Sequence, residues 1–165
     1  METFEDAVLS LHRAKMQDLE RRWVAVLRQL HDDEVNWRPN DVSNSIANLV
    51  VHVVGNLRQR FVSGIGNEAD IRMRDEEFNT RERFTGTELI DMLTEQFGIV
   101  DRTLLDMTPR MLAQTYETQG RKQSGLDILF GAATHTSEHL GQVLFIAKML
   151  LGERYQIQWS PHQRR

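Results

Sequence analysis

Two histidines, His135 and His139, stand four residues apart in HTSEHLGQ (135–142), inside what reads as the most apolar helix of the chain. A helix places positions i and i+4 on one face, one above the other. A buried neutral imidazole needs partners for both ring nitrogens, and a metal ion is one such partner. Gln142 follows three residues after His139, close enough to orient a ligand or a bound molecule. The pair fits equally well as core histidines hydrogen-bonded to neighbouring helices. Two ligands do not make a useful site, so the reading turns on a third.

The third candidate is His52. Ser45, Asn48, His52, Asn56 and Gln59 form a polar lane beside an apolar helical stripe. Asparagine is a mediocre helix former. The lane is therefore either a solvated face or the border of an internal polar pocket, with Asn56 and Gln142 as candidate pocket residues. At about 1.5 Å of rise per residue, His52 lies roughly 12 Å into its helix. His135 and His139 lie roughly 16 and 22 Å into theirs. All three can meet near mid-bundle whichever way the helices run. Three neutral imidazoles with an open position suit a divalent metal whose remaining site takes water or substrate. His12 falls near a core stripe, and His31 and His162 fall in connections, which suits packing or surface roles.

His135-Thr136-Ser137-Glu138-His139 also matches H-x-x-E-H, the inverted zinc-peptidase signature. That chemistry needs a further ligand, usually a distant glutamate. Glu153 is the single carboxylate in 140–165, and no strand pattern offers to align a peptide. The peptidase reading is set aside.

These residues need helices to position them. Val8, Leu11, Met16, Leu19, Trp23, Val26 and Leu30 recur at helical spacing over 5–30. After a polar connection with Pro39, Ser43 is the expected N-cap of a second helix over 44–63, with Ile46, Leu49, Val50, Val53, Leu57 and Phe61 as its stripe. The interval 64–83 is dense in both charges; loops this long are often crossovers or lids, so it is expected to cover the site's entrance. Thr85 and Glu88 have capping-box spacing and open a third helix through Leu89, Leu93, Val100 and Leu104, stopped by Pro109. Ser124 with Asp127 opens the fourth, reaching 151 before Gly152. On it, Ile128, Ala132, His135, His139, Val143, Ile146 and Leu150 form the face expected to point inward. The tail from Glu153 on shows no period. Four amphipathic helices without a strand pattern predict an all-α four-helix bundle with long connections, with room for a crossover, as one domain over 1–165.

Composition narrows the function. Twenty Lys+Arg against 24 Asp+Glu give a net charge of −4, which argues against a nucleic-acid groove. No apolar run approaches the roughly 20 residues that span a bilayer, and the acidic start METFEDAVLSLHRAK does not read as a secretory signal. The chain has no cysteine. Disulfides, Cys-ligated zinc and a protein thiol nucleophile are thereby excluded, and a cytoplasmic location is expected.

The stretches SNSIANLVVHVVGNLRQRF (43–61), IRMRDEEF (71–78) and THTSEHLGQVLFIAKML (134–150) resemble the DinB-like, or YfiT-like, superfamily of small bacterial four-helix metalloproteins. The resemblance spans nearly the whole chain. Its most specific element, H-x-x-x-H-x-G-Q, maps onto His135, His139, Gly141 and Gln142, with His52 as the third ligand. It implies a His₃ site for nickel, zinc or a similar divalent ion, often in a homodimer. A small-molecule substrate is expected, and charge and hydropathy argue against nucleic acid and membrane as partners. Characterised members of the superfamily include transferases and isomerases that use low-molecular-weight thiols such as bacillithiol or mycothiol, and the thiol would arrive as a cosubstrate. The expected function is a divalent-metal-dependent enzyme, a thiol S-transferase or hydrolase. The alternative is a non-catalytic bundle in which metal or histidines only stabilise the fold.

Overall fold

The computed structural model describes residues 3–157; His162, expected at the surface, lies outside them. Helix α1 spans Phe4–Leu27 and α2 is a short turn at Asp32–Val35. Helix α3 covers Ile46–Arg58 and runs on as a π-helical segment, Gln59–Ile65. The chain then forms α4 (Arg74–Asn79), α5 (Gly86–Asp106), α6 (Pro109–Ala113), a hairpin of β1 (Thr115–Thr118) and β2 (Arg121–Ser124), and α7 (Gly125–Leu151).

The capping boxes of α5 and α7 form as the sequence predicts: Thr85 with Glu88, and Ser124 with Asp127. The cap of α3 is Ser45, not Ser43. Ser45 Oγ accepts from Asn48 N at 3.1 Å while Asn48 Oδ1 accepts from Ser45 N at 3.2 Å. Three residues beyond Ser43 stands Ile46, which cannot return that bond, and Ser43 donates to Asn40 instead. The hairpin is a second departure. Its strands are polar four-residue pieces with Tyr116 turned inward, so no alternating apolar pattern announces them. Gln119 and Gly120 at its tip both have positive φ, 56° and 70°, as a two-residue hairpin turn requires.

The four long helices make the expected bundle. α1 packs on α5 and α7, and α3 packs on the same two from the other side. Trp23, Leu57, Phe97 and Val143, one from each helix, are among the residues that fill the core. Apolar burial of such faces supplies most helical stability in folded proteins. Polar contacts fix the direction of each helix. Gly86 N donates to Asp32 Oδ1 at 2.8 Å, so α5 begins where α1 ends. Arg38 donates to both Asn48 Oδ1 and Thr80 O at that end, where α3 also starts. Gln156 N donates to Gln29 Oε1 at 2.7 Å, so α7 finishes there. The order is therefore up–down–down–up.

Parallel α3 and α5 explain the long crossover. Helix α3 with its π segment rises about 30 Å, and the chain must travel back that distance over 66–85 before α5 can start. On the way it lies along α3. Among the described residues, no helix is long and apolar enough to cross a membrane.

Candidate metal centre

His52 on α3 is buried, and His135 and His139 on α7 are half-buried. The antiparallel packing of α3 on α7 brings the three rings together. His52 Nε2 lies 2.9 Å from His135 Nε2, and His139 Nε2 lies 3.2 Å from the same atom. The fully buried line of α7 is Ile128, Ala132, Thr136, Leu140 and Val143. The histidines sit at its edge, on the side facing α3, rather than at the centre of the inward stripe.

Their proton positions follow from their partners. His52 Nδ1 lies 2.8 Å from Glu77 Oε2. A carboxylate only accepts, so Nδ1 carries the proton and Nε2 presents its lone pair. Glu77 is gripped by Arg72, whose Nε donates to Oε1 at 2.7 Å and Nη2 to Oε2 at 2.8 Å. Burial opposes ionisation of Glu77, but the hydrogen bonds from Arg72 and His52, and the Arg72 charge, outweigh it and hold its carboxyl below the usual range. His139 Nδ1 donates to Gln142 Oε1 at 3.0 Å, which again leaves Nε2 bare. His135 Nδ1 is buried with no partner.

Two lone pairs thus point at His135 Nε2. A single proton on that atom serves one of the contacts; a cation among the rings serves all three nitrogens. Two nitrogens bound at about 2.1 Å to one ion lie about 3.0–3.4 Å apart for angles from square to tetrahedral, close to the two separations from His135 Nε2, and the ligand atoms of all three residues lie within 4.8 Å of one another. The donor set fits a divalent metal, and His52, His135 and His139 could hold one. His135 and His139 resist protonation as such a site needs. Burial first, then His139, His52, Arg60 and Arg72, push His135 down to about 3. Burial likewise lowers His139, against the raising effect of Gln142.

The crossover supplies what the sequence reading missed. Arg72, Glu77 and Phe78 all come from it. Phe78 lies against His52 with ring centroids 4.4 Å apart, and the Arg74 guanidinium lies 5.1 Å from the Phe78 ring. Gly55 explains how the crossover gets so close. A Cβ there would stand 2.2 Å from Glu77 Oε1. A glycine three residues after His52, with an acid-rich run downstream, was the available signal. Carboxylates that hold a ligating histidine are a regular part of metal sites.

The two candidate pocket residues are placed differently from each other. Gln142 is exposed and bonded to His139. Asn56 is buried, and its Oδ1 accepts from Arg60 Nε at 2.9 Å. The polar lane of α3 is not solvated: Ser45, Asn48, His52 and Asn56 are all buried, and Asn48 Nδ2 donates to Glu77 O at 2.8 Å. A cavity of about 380 Å³ lies on the far side of the Arg72–Glu77 pair, lined by Val54, Gly55, Met73, Phe84 and Met92. None of the three histidines lines it. His12 packs into the bundle, where burial lowers it to about 4, and His31 precedes α2 on the surface.

Residues 4–163 match the profile of a family described as a protein of unknown function, DUF1572. The chain belongs to this family. Solved structures share its fold. A conserved protein from Enterococcus faecalis superposes with a TM-score of 0.74 at 16% identity, over 88% of this chain and 98% of that one. A DinB-like protein from Bacillus cereus gives 0.68 at 15% identity, over 90% and 93%. The DinB-like YjoA from Bacillus subtilis gives 0.68 at 15%, over 94% and 99%. A comparison with curated proteins gives no match.

Proposed function

We propose that this DUF1572 protein is a divalent-metal-dependent enzyme in which His52, His135 and His139 bind the ion, and that it transfers or hydrolyses by activating a low-molecular-weight thiol or water. The observation that carries this reading is the convergence of the three Nε2 atoms with their protons held on the far side of two of the rings. A divalent ion supplies Lewis acidity, bringing the pKa of a thiol or water at its open position toward neutrality. The chain's own residues prepare for it. Glu77 keeps the His52 proton on Nδ1, and Arg72 keeps Glu77 ionised. Gln142 does for His139 what Glu77 does for His52. Half-burial of His135 and His139 leaves an approach from outside, while Phe78 closes the side above His52.

Nickel and zinc suit three imidazoles with an open position, and availability decides between such ions. The missing protein thiol fits a thiol that arrives as cosubstrate. Elemental analysis of the isolated protein should give about one divalent ion per chain, and His139→Ala should lose the ion while keeping its helical circular dichroism. Cobalt-substituted protein titrated with cysteine then separates catalysis from a structural role. A changed d–d spectrum supports the enzyme; a spectrum indifferent to the thiol supports a structural ion. A wild type that binds no divalent ion under any loading ends the proposal.

A further inference from the structure

Eight residues beyond His52 on the same polar lane stands Arg60, in the π-helical turn that prolongs α3. It is 6% exposed. Its Nε donates to Asn56, and Nη2 reaches Gln119 Oε1 at 3.3 Å. Nη1 is buried without a partner. Among the described residues no carboxylate pairs with it, and the charges it feels are those of Arg121 and Arg72. Buried arginines are almost always paired, because an uncompensated charge away from water is costly. The surroundings accommodate this one deliberately. Across the seam a Cβ on Gly131 would stand 2.8 Å from Nη1, so the glycine leaves room for the guanidinium. π-helical insertions often mark functional sites.

A second unpartnered group lies one turn further along α7. His135 Nδ1 is buried and bonded to nothing. With a metal on its Nε2, Nδ1 is the nitrogen left to carry a proton. Two buried donors on one seam therefore lack acceptors. On the hairpin side Arg60 meets the neutral amide of Gln119, at a long contact, from a turn residue with positive φ.

We infer that Arg60 is the anchor for a carboxylate group of the substrate, which displaces Gln119 and is received between Arg60 Nη1 and His135 Nδ1. The free donors match the two oxygens of a carboxylate and are too few for a phosphate dianion. Gly131, His135 and His139 follow one another by single turns of α7. An acid held at Arg60 thus extends its other end toward the three Nε2 atoms, about 6–12 Å along the helix. This deepens the proposed function and rests on it for the purpose of the anchor and for the His135 donor, though not for the contact to Arg60.

The test uses the full chain, as isolated and zinc-loaded. The Arg60 Nε–H resonance, assigned with Arg60→Lys, is followed as sodium propionate replaces chloride at constant ionic strength. A saturable shift is expected, with phosphate giving none. Arg60→Lys, followed instead through the Gly131 backbone amide across the seam, should weaken propionate binding about tenfold or more, because the planar fork is lost. Gln119→Ala, which removes the cover at a half-buried turn residue, should bind propionate at least as tightly as the wild type. No saturable shift in either the wild type or Gln119→Ala overturns the inference, as does phosphate binding tighter than propionate. Zinc stoichiometry measured on the same samples keeps the two ideas apart. Normal zinc binding without a propionate response removes the anchor alone; a propionate response without zinc binding removes the metal reading alone.

Discussion

Replacing Gly55 by alanine sets two effects of opposite sign against each other. Inside a helix, Gly→Ala gains about 1 kcal/mol from backbone propensity. At this position the new Cβ would stand 2.2 Å from Glu77 Oε1, 3.1 Å from Glu77 Cδ and 3.2 Å from Arg72 Nε. Glu77 must withdraw from a buried ion pair: the Glu77 and Arg72 side chains are 8% and 6% exposed. Breaking a buried pair by removing one partner costs about 3–5 kcal/mol. The net expectation is a loss of about 2–4 kcal/mol, read from urea unfolding followed by circular dichroism. His52 loses the carboxylate that fixes its tautomer, so zinc affinity should fall about 10–100-fold in competition with a chromophoric chelator. Gly141→Ala is the control. Its Cβ meets nothing within 4 Å, so it should gain up to about 1 kcal/mol and leave zinc affinity unchanged. If Gly55→Ala matches Gly141→Ala in both stability and zinc affinity, the account of the crossover docking on α3 is wrong.

Glu77→Gln keeps the shape but removes the charge that answers Arg72, and should weaken zinc binding about tenfold or more in the same titration; an unchanged affinity would show that the carboxylate is incidental. Ser45→Ala should cost about 1 kcal/mol of unfolding free energy, and Ser43→Ala less than about 0.5, since Ser45 alone caps α3. His12 gives a pH dependence. Its folded value is lowered by burial from the ordinary 6.5 to about 4, so the unfolded chain takes the proton first. Stability is then complete above about pH 6.5 and falls by up to about 3 kcal/mol as pH drops to 4. His12→Gln should flatten this part of the stability curve, and an equally steep fall in the variant would assign it to other groups.

The helices were legible because their stripes repeat at 3.6 residues and their caps are local: Thr85 with Glu88 and Ser124 with Asp127 need only three residues of context. The histidines were legible for a related reason. The spacing of His135 and His139 is a property of one helix, and the asparagines flanking His52 marked its face as unusual. What lay beyond reach depended on residues distant in sequence. Choosing Ser45 over Ser43 turned on a returned bond from Asn48, whose amide is held in place by the Glu77 backbone of the crossover. The hairpin at 115–124 has polar strands stabilised by packing on the π-helical turn, so no local pattern could reveal it.

The centre itself divides along the same line. The sequence by itself determined which residue types were available, three imidazoles on two helices and no thiol, because composition and helical period are local facts. Only the tertiary structure decided that those imidazoles meet with their lone pairs inward. That depends on antiparallel packing of α3 on α7 and on a crossover carrying Glu77 back along α3 to a glycine with room for it. Chain direction and close approach are set by packing the whole bundle, and no window of sequence contains them.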